Sequence, residues 1–467
     1  MPYFFRLLPV VLFTVLAAFT AEPKRPTALD RYVREPDSSY RYEVAVERSA
    51  GDVSINVLNM TSQTWRSASE VDRPAWKHWL TIIKPAEVKH STAFLFITGG
   101  SNRDIPPERT DPWMVEMARY TKSVVVELRN VPNQPLVFAG ETRKRSEDEM
   151  ISYTWDRFLR GGDDLWPARL PMTKAAVRAM DTVTAFLGDQ KRGALRVDRF
   201  VVAGGSKRGW TTWTTAAVDS RVVAIVPAVI DVLNVEKSMQ HHWRVYGFWT
   251  PAVGDYKEMK LFDWFATPQN RALMKIEDPY EYRDRLTLPK YIVNAGGDQF
   301  FAPDSSQFYF DDLKGEKYLR YVPNTDHSLR KSDALETIGA FYDSVLNNRP
   351  RPRLSWKLEK DGAIRVKTHE APTEVKLWQA TNPEKRDFRL ETLGPKYTSS
   401  VLTAKSGSYE AMVTKPEKGW TAYFVELTYS TGGKYPLKVT TPVRVVPETL
   451  PFEEYRPDVS VTKGGGR

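Results

Sequence analysis

The sequence predicts two architectures in succession: an α/β domain with a largely parallel sheet over about residues 29–348, and a small all-β sandwich of immunoglobulin or fibronectin type over 352–450. In the first part, continuous apolar runs alternate with helical patterns. In the second part, short strand candidates follow one another, and a Pro/Arg-rich joint, NNRPRPRLSW, separates the two. A chain of 467 residues is long enough for two such units.

The strands of the α/β domain are predicted from five continuous apolar runs. Continuous apolar runs are typical of strands buried on both faces, as in the centre of a parallel sheet. The runs are AFLFITGG (93–100), SVVVEL (123–128), RFVVAGG (199–205), RVVAIVPAVI (221–230) and KYIVNAGGD (290–298). Three shorter strand candidates precede them: YRYEVAVE, VSINVLNM and HWLTIIKP.

The clearest helical pattern is TKAAVRAMDTVTAFL, residues 173–187. Val177, Met180, Val183 and Leu187 recur at helical spacing, so they form one apolar side. Strands that alternate with helices of this kind indicate a parallel sheet with helices on its faces.

The C-terminal part shows six strand candidates: AIRVKT, EVKLWQA, DFRLETL, SYEAMV, TAYFVELTYS and LKVTTPVRVV. Clusters of Gly, Pro, Lys or Asn separate them, which is the spacing expected of a β-sandwich. We predict that the tail, residues 451–467, is disordered, because it ends in VTKGGGR.

The N-terminus predicts export. A charged start precedes the apolar run LLPVVLFTVLAAF, from Leu7 to Phe19, and small residues follow it, so residues 1–21 fit a secretory signal. The run is short for a membrane span, and we therefore expect no stable span after cleavage of the signal. With no cysteine in the chain, neither a lipidated cysteine nor a disulfide is expected. The predicted location is secreted or periplasmic.

Charge and composition indicate which partners and cofactors are expected. The chain has 67 basic and 58 acidic residues, a net charge of +9, but the two signs are interspersed. This favours a mixed solvated surface over a nucleic-acid partner. His241 and His242 have no matching ligand set around them, so neither a metal nor another cofactor is predicted.

A motif with a nucleophile pattern lies in VVAGGSKRGW, residues 201–210. Ser206 follows the strand RFVVAGG and precedes a helical stretch, and glycines on both sides would permit a tight turn. Such a turn lifts a serine above the sheet edge and strains its backbone. The residue two places on is Arg208, where the usual G-x-S-x-G pattern has glycine. A packed Gly-Gly-Ser turn without chemistry is the alternative interpretation.

A serine becomes a nucleophile when a histidine accepts its proton and an acid orients that histidine. Of six histidines, His327 has the expected place: after a strand over 317–322 and a turn, and before a helix starting near Ser328. Asp298 follows the strand YIVNAGG and gives the chain order Ser–acid–His. Asp231, at the end of the preceding strand, is the alternative acid.

An oxyanion hole would need backbone N–H donors after the nucleophile and in the loop TGGSN. These predict Lys207 together with Gly100 or Ser101. The side chain of Arg208 would meet an anionic group of the substrate or pair with surface acids.

A Trp-rich insertion, about residues 232–286, is predicted to form a cap over the site. Trp249 in the cap and Trp210 after the nucleophile are candidate substrate contacts. The alternative is that the aromatic residues of the cap form its own core.

Several longer stretches resemble one family. VPNQPLVFAGE, WPARLPMTKAAVRAMDTV, GGSKRGWTTW, DPYEYRDRLTLPKYIVNAGGDQFF and VPNTDHSL are similar to the PhoPQ-activated pathogenicity-related protein family, which also includes secreted autocrine proliferation repressors of social amoebae. The resemblance covers about residues 29–450. It implies an α/β-hydrolase domain followed by a small β-domain, a Ser206–Asp298–His327 triad, export and, in bacteria, a link to envelope stress and resistance to cationic peptides. The S-K-R-G form of the family also accounts for Arg208.

Two hypotheses follow. The first is an exported serine hydrolase that cleaves an ester or peptide bond in a small-molecule or peptide substrate through an acyl-enzyme, without a cofactor. The second is a secreted binding or signalling protein that keeps the hydrolase scaffold and acts through its β-domain or cap.

Overall fold

In the computed structural model, which describes residues 26–405 and 407–464, one sheet of 14 strands runs through both the α/β part and the C-terminal part. The predicted signal segment lies outside the described residues. The strands are β1 Arg41–Ala50, β2 Val53–Thr64, β3 Ala75–Pro85, β4 Thr92–Ile97, β5 Val125–Leu128, β6 Arg199–Gly205, β7 Val222–Ala228, β8 Lys290–Ala295, β9 Lys317–Val322, β10 Leu354–Leu358, β11 Ile364–Thr368, β12 Glu374–Asn382, β13 Thr398–Val401, β14 Ser408–Ala411, β15 Trp420–Tyr429, β16 Leu437–Thr440 and β17 Arg444–Val446.

The helices lie mainly between the strands of the first part. They are α1 Ala28–Arg34, α2 Pro112–Thr121, α3 Glu147–Leu159, α4 Arg169–Gly188, α5 Lys207–Val218, α6 Val235–Tyr246, α7 Gly254–Glu258, α8 Pro268–Glu277, α9 Ala334–Leu346 and α10 Leu390–Leu393. Among the residues that the structure describes, no helix has both the length and the apolar character needed to cross a membrane.

The strand order explains why the site forms at one edge of the sheet. The sheet runs β1-β2-β3-β5-β4-β6-β7-β8-β9 before it reaches the C-terminal strands. β1, β2 and β3 are antiparallel, and β3 pairs antiparallel with β5, whereas β5, β4, β6, β7, β8 and β9 are parallel. This mixed α/β sheet has the strand order of an α/β-hydrolase, and it brings the carboxyl ends of β6, β8 and β9 to one edge.

Helices cover both faces of the parallel strands, which explains the continuous apolar runs. All residues of β5 and β8 are buried. α4 and α5 contribute to the core on one face, and α2 and α9 to the core on the other. α4 begins at Arg169, four residues before the predicted start, and the predicted apolar side at Val177, Met180, Val183 and Leu187 is buried.

The C-terminal strands do not confirm the predicted separate β-sandwich. Within the described part of the chain, β10, β11 and β14 form a sheet of three strands, but β16 pairs with β9 and continues the central sheet through β15, β12 and β13. Val366, Leu377 and Val425 share one core with the α/β part. Arg320 on β9 forms a buried ion pair with Glu426 on β15. The composition of the chain therefore changes at the Pro/Arg-rich joint near residue 350, but the central sheet contains strands from both sides of this joint.

Three local predictions were wrong. DFRLETL contains the short helix α10 instead of a strand, and the helix after His327 begins at Ala334 instead of Ser328. The tail is ordered through residue 464: the Tyr455 ring packs on Trp243 and Trp249 at 4.8 and 5.0 Å between centroids. The Tyr455 hydroxyl also donates a hydrogen bond to Asp263 at 2.5 Å. An aromatic anchor and a buried carboxylate thus compensate for the polar composition of this segment.

Candidate active site

Ser206 occupies a strained turn between β6 and α5. Its backbone has φ 57° and ψ −127°, a conformation that residues other than glycine rarely adopt. The amide of Ser206 donates to the carbonyl of Ala228 at 2.8 Å, and its carbonyl accepts from Trp210 at 3.0 Å. The hydroxyl makes no capping hydrogen bond with α5, so the strain is not explained by helix capping.

The glycines of this motif are required by close backbone contacts. A Cβ atom on Gly204 would lie 2.6 Å from the carbonyl oxygen of Arg208, and one on Gly209 would lie 2.8 Å from that of Ala228. Real Cβ contacts of this length do not occur, so both positions exclude a side chain. The structure therefore gives the pattern around Ser206 the geometry of a nucleophile elbow.

Asp298 and His327 are brought together by the loops after β8 and β9. His327 Nδ1 lies 2.8 Å from Asp298 Oδ2 and 3.0 Å from Oδ1. Since an ionised carboxylate only accepts hydrogen bonds, Nδ1 carries the proton and Nε2 of the neutral ring is an acceptor. Nε2 is buried and has no hydrogen-bond partner among the residues that the structure describes.

Asp231, the alternative acid, has other partners. It accepts hydrogen bonds from the hydroxyls of Tyr309 at 2.6 Å and Tyr321 at 2.7 Å. Complete burial raises its pKa to about 7 in spite of these two donors. The geometry therefore favours Asp298 over Asp231 as the partner of His327.

A segment of the C-terminal part supports the two loops that carry this pair. The amide of Leu390 donates to the carbonyl of Gly297 at 2.9 Å. The side chain of Asn324 exchanges two hydrogen bonds of 2.9 Å with the backbone of Tyr397. Sequence analysis missed this support, because the partners are far apart in the chain.

The predicted oxyanion donors lie on the other side of Ser206. The amide of Lys207 is the first of α5, so it has no partner within the helix. Gly100 has φ +147°, and a Cβ there would lie 2.1 Å from Asn130 Oδ1. The amide of Ser101 donates to Asp104 Oδ2 at 2.8 Å, which removes Ser101 as a candidate and leaves Gly100.

Glu147, at the start of α3, connects these positions. It receives a bidentate pair of hydrogen bonds from Arg208 at 2.8 and 2.7 Å and an ion pair from Lys207 at 2.9 Å. Gln134 donates to Glu147 and to the carbonyl of Gly100, at 2.5 and 3.0 Å. Although burial opposes its charge, these cations lower the pKa of Glu147 to about 2.

Arg208 thus pairs with an acid, which was one of the two interpretations of its side chain. Its planar fork binds the carboxylate of Glu147 through both Nη atoms, and its Nε donates to the carbonyl of Val131. Sequence analysis missed Glu147 and Gln134. Arg208 could have indicated them, because an arginine at a position where glycine is usual needs a hydrogen-bonding partner close to the elbow.

A cavity of about 70 Å³ adjoins Ser206 and Lys207 beneath the cap. Its other walls come from α3, α4, the cap helices α6 and α8, and the loop after β8. The predicted contact Trp210 lines it, with its Nε1 donating to the carbonyl of Glu277 at 2.6 Å. The other, Trp249, stacks on Phe262 at 3.6 Å, and Phe262 forms the wall. Trp249 therefore supports the pocket from behind.

The two cap histidines have separate partners. His241 Nε2 lies 2.8 Å from Asp304 Oδ1, and Asp304 also pairs with Arg386 at 2.7 Å. His242 Nδ1 lies 3.1 Å from the carbonyl of Phe300, and burial lowers the pKa of His242 to about 3. Across residues 26–405 and 407–464, no cluster of three or more His, Cys, Asp or Glu side chains could hold a metal ion.

Comparison with known proteins gives one family and one close relative. The model of the family described as PhoPQ-activated pathogenicity-related protein matches residues 29–389. The chain is 37% identical over 480 residues to autocrine proliferation repressor protein A of Dictyostelium discoideum, which covers 96% of this chain and 95% of that protein.

Two solved structures are among those that are similar to this chain. Acetyl xylan esterase 1 from Thermoanaerobacterium sp. is 15% identical, with a TM-score of 0.46 over 68% of this chain and 92% of that one. Glucuronoyl esterase from Solibacter usitatus is 14% identical, with a TM-score of 0.39 over 66% of this chain and 88% of that one.

Proposed function

The chain belongs to the PhoPQ-activated pathogenicity-related protein family, and we propose that it is a serine hydrolase that cleaves an ester or peptide bond through an acyl-enzyme. The observation that supports this most is the pair of Asp298 and His327, 2.8 Å apart, whose free ring nitrogen lies at the same sheet edge as the strained Ser206. A histidine held in one tautomer by a carboxylate is the base that a serine nucleophile requires.

The proposed reaction uses the chain's own groups. The Ser206 hydroxyl attacks the carbonyl carbon while His327 Nε2 accepts its proton, and Asp298 stabilises the imidazolium that forms. The backbone amides of Lys207 and Gly100 donate hydrogen bonds to the oxyanion. His327 then returns the proton to the departing alcohol or amine. Water, deprotonated by the same ring, releases the acid product and restores Ser206.

We further propose that the protein is exported, to the periplasm or the outside of the cell. The support is the apolar run from Leu7 to Phe19 after a charged start. The family resemblance adds a proposed role in envelope stress or antimicrobial-peptide resistance. Fractionation of cells that express the full chain, with N-terminal sequencing of the product, tests export; an intact N-terminus in the cytoplasmic fraction contradicts it.

A second candidate function is supported by the relative from Dictyostelium. Because that protein is called an autocrine proliferation repressor, a secreted signalling protein that uses the hydrolase scaffold without catalysis is the rival proposal. The two differ in one requirement: only the enzyme needs His327 to activate Ser206.

A fluorophosphonate probe tests that requirement directly. We expect wild type to be labelled at Ser206, and Ser206→Ala and His327→Ala to lose labelling. Ser328→Ala is the matched control, because Ser328 adjoins His327 but is bound to Asp326 at 2.6 Å. Folded wild type without labelling, or equal labelling of Ser206→Ala, contradicts the hydrolase proposal and favours the rival.

A further inference from the structure

The cavity at Ser206 is small for a ligand site. Pockets that hold drug-sized ligands measure roughly 300–1,000 Å³, whereas this one has about 70 Å³. An apolar cavity of about 150 Å³ binds benzene, a ligand of six heavy atoms, so by comparison this cavity holds roughly three heavy atoms. Its size restricts whatever enters it to a short group.

The walls are largely apolar. Met239, Phe262 and Met274 enclose the cavity from the cap, and Ile230, Phe300 and Phe301 enclose it from the sheet edge. Met239, Phe262 and Met274 are each less than a tenth exposed. A short hydrocarbon chain would replace water there without losing hydrogen bonds.

Both cations on the wall already have carboxylate partners. Arg169 lies 3.2 Å from Glu277, with both side chains almost fully buried. Lys207 lies 2.9 Å from Glu147 and 3.1 Å from Asp148. A negatively charged group that entered the cavity would lose its hydration and would have to compete with Glu277, Glu147 and Asp148 for the two cations, so the site disfavours an anionic group.

Ser206 lines the cavity and is only half-buried, whereas its neighbour Lys207 is buried, so the serine can contact both the cavity and the solvent. In an acyl-enzyme the acyl group stays attached to the serine, while the leaving group departs and must reach solvent. The closed apolar side therefore suits the acyl chain, and the open side suits the leaving group.

On this basis we propose that the cavity is an acyl pocket, and that the substrates are esters of short, uncharged acids with two to four carbons. This inference rests on the proposed hydrolase function and adds the class of acyl group. The Cα-substituted acyl part of an internal peptide bond, with its continuing chain, does not fit such a pocket, so among ester and peptide bonds the site favours the ester.

A series of p-nitrophenyl esters with a constant leaving group tests the proposal. Each methylene that gains burial should raise kcat/KM roughly fourfold, so a pocket without an end would favour the longest chain. We expect kcat/KM to peak between acetate and butyrate and to fall at least tenfold by octanoate. The hemisuccinate ester should be at least tenfold worse than the butyrate.

Met274→Ala is the diagnostic variant. It removes three heavy atoms from the cavity wall, and we expect the preferred chain to lengthen by two to three carbons. Met259→Ala is the matched control, because Met259 packs on the same core from the cap but does not line the cavity. It should leave the preferred chain length unchanged.

The outcomes separate this inference from the proposed function. If wild type shows neither ester hydrolysis nor fluorophosphonate labelling, the proposed hydrolase function is wrong. Labelling at Ser206 together with a preference for octanoate, or for the hemisuccinate, contradicts only the acyl pocket. A preferred length that does not respond to Met274→Ala also contradicts the pocket, provided that the variant unfolds at a temperature close to that of wild type.

Discussion

The two sides of Ser206 are each organised by one carboxylate, and the two carboxylates are used differently. Asp298 binds one side chain, the ring of His327, and also accepts from the amide of Phe300, and the second ring nitrogen of His327 has no partner in the described part of the chain. Glu147 is surrounded by donors: the two Nη atoms of Arg208, the ammonium of Lys207 and the side-chain amide of Gln134. On the first side, Nε2 of His327 is therefore available to accept a proton, whereas on the second side the oxygens of Glu147 are occupied by these donors.

The supports of the two sides also come from different parts of the molecule. Glu147 begins α3 and ties the elbow to the loop after β4, within the α/β part. The loops of Asp298 and His327 are held instead by Leu390 and Tyr397, which belong to the C-terminal part. The C-terminal part therefore supports the loops of the histidine that we propose as the base, through α10 and the residue before β13, whereas the proposed oxyanion hole is supported from within the α/β part.

The largest expected effect tests the acid on the open side. Asp298→Asn should lower kcat about 10³- to 10⁴-fold, because an amide favours the wrong tautomer of His327. Asp231→Asn, a change of the same type at the neighbouring strand end, should leave kcat within about threefold, since its partners are Tyr309 and Tyr321. Steady-state kinetics on the best ester compares the two. If Asp231→Asn is the more damaging change, the assignment of the acid is wrong.

A change at Glu147, whose oxygens are occupied by donors, should lower kcat less than a change at Asp298. Glu147→Gln keeps the shape but removes the charge that holds Lys207 and Arg208, so the amides of the oxyanion hole lose their fixed direction. We expect kcat to fall about 10²-fold, the cost of one such donor, with KM nearly unchanged.

Glu149→Gln is the control for this change. Glu149 lies on the same helix and pairs with Arg145 at 3.3 Å, away from the elbow. A merely structural role of Glu147 would lower the unfolding temperature without the split between kcat and KM. A similar loss of kcat in both variants would contradict the positioning role.

A smaller effect should follow from loosening the support of the open side. Asn324→Ala removes both hydrogen bonds to Tyr397, and we expect kcat to fall about tenfold because His327 is held less firmly. Asn324 has a left-handed backbone, φ 55°, so alanine also adds strain. At the exposed Asn348, φ 47°, alanine adds the same strain just after α9, outside the loops that carry Asp298 and His327. If Asn348→Ala lowers kcat equally, backbone strain and not the support of His327 is the cause.

Local patterns predicted much of this arrangement. The apolar runs predicted the parallel strands, because burial on both faces leaves a mark in every residue of a strand. The positions of Ser206, Asp298 and His327 followed from those strand ends, since each lies within a few residues of one. Chain order alone could not decide between Asp298 and Asp231. That choice required the tyrosine partners of Asp231, which lie 78 and 90 residues further along the chain.

Features that depend on distant contacts escaped prediction. Tyr455 holds a tail of polar composition through two aromatic contacts and one carboxylate, and none of these three partners is near it in the sequence. The central sheet continues from β9 to β16, and the Arg320–Glu426 pair joins residues on both sides of the joint. The composition changes at the joint, but the hydrogen-bonded central sheet includes strands from both sides of it.

The last and smallest expected effect concerns Asp231, whose role we infer to be structural. Its pKa in the folded protein is raised to about 7, chiefly by burial, whereas an aspartate in an unfolded chain titrates near pH ~3.9. Between these values the folded state binds more protons at this site, so the free energy of unfolding falls as pH rises from about 4 to about 7 and stays low above it. Asparagine cannot ionise, and it can still accept from one tyrosine and donate to the other. The unfolding temperature of Asp231→Asn, relative to wild type, should therefore increase with pH over this window, by roughly 2–4 °C, and then level off.

Other buried acids whose pKa is raised to about 7, such as Asp278, are present in both proteins, so their effects cancel in the difference between the two unfolding temperatures. Thermal melts at half-unit steps from pH 4 to 8 measure it. A difference that is constant with pH, or that decreases, would show that Asp231 is ionised throughout and stabilised by its two tyrosines.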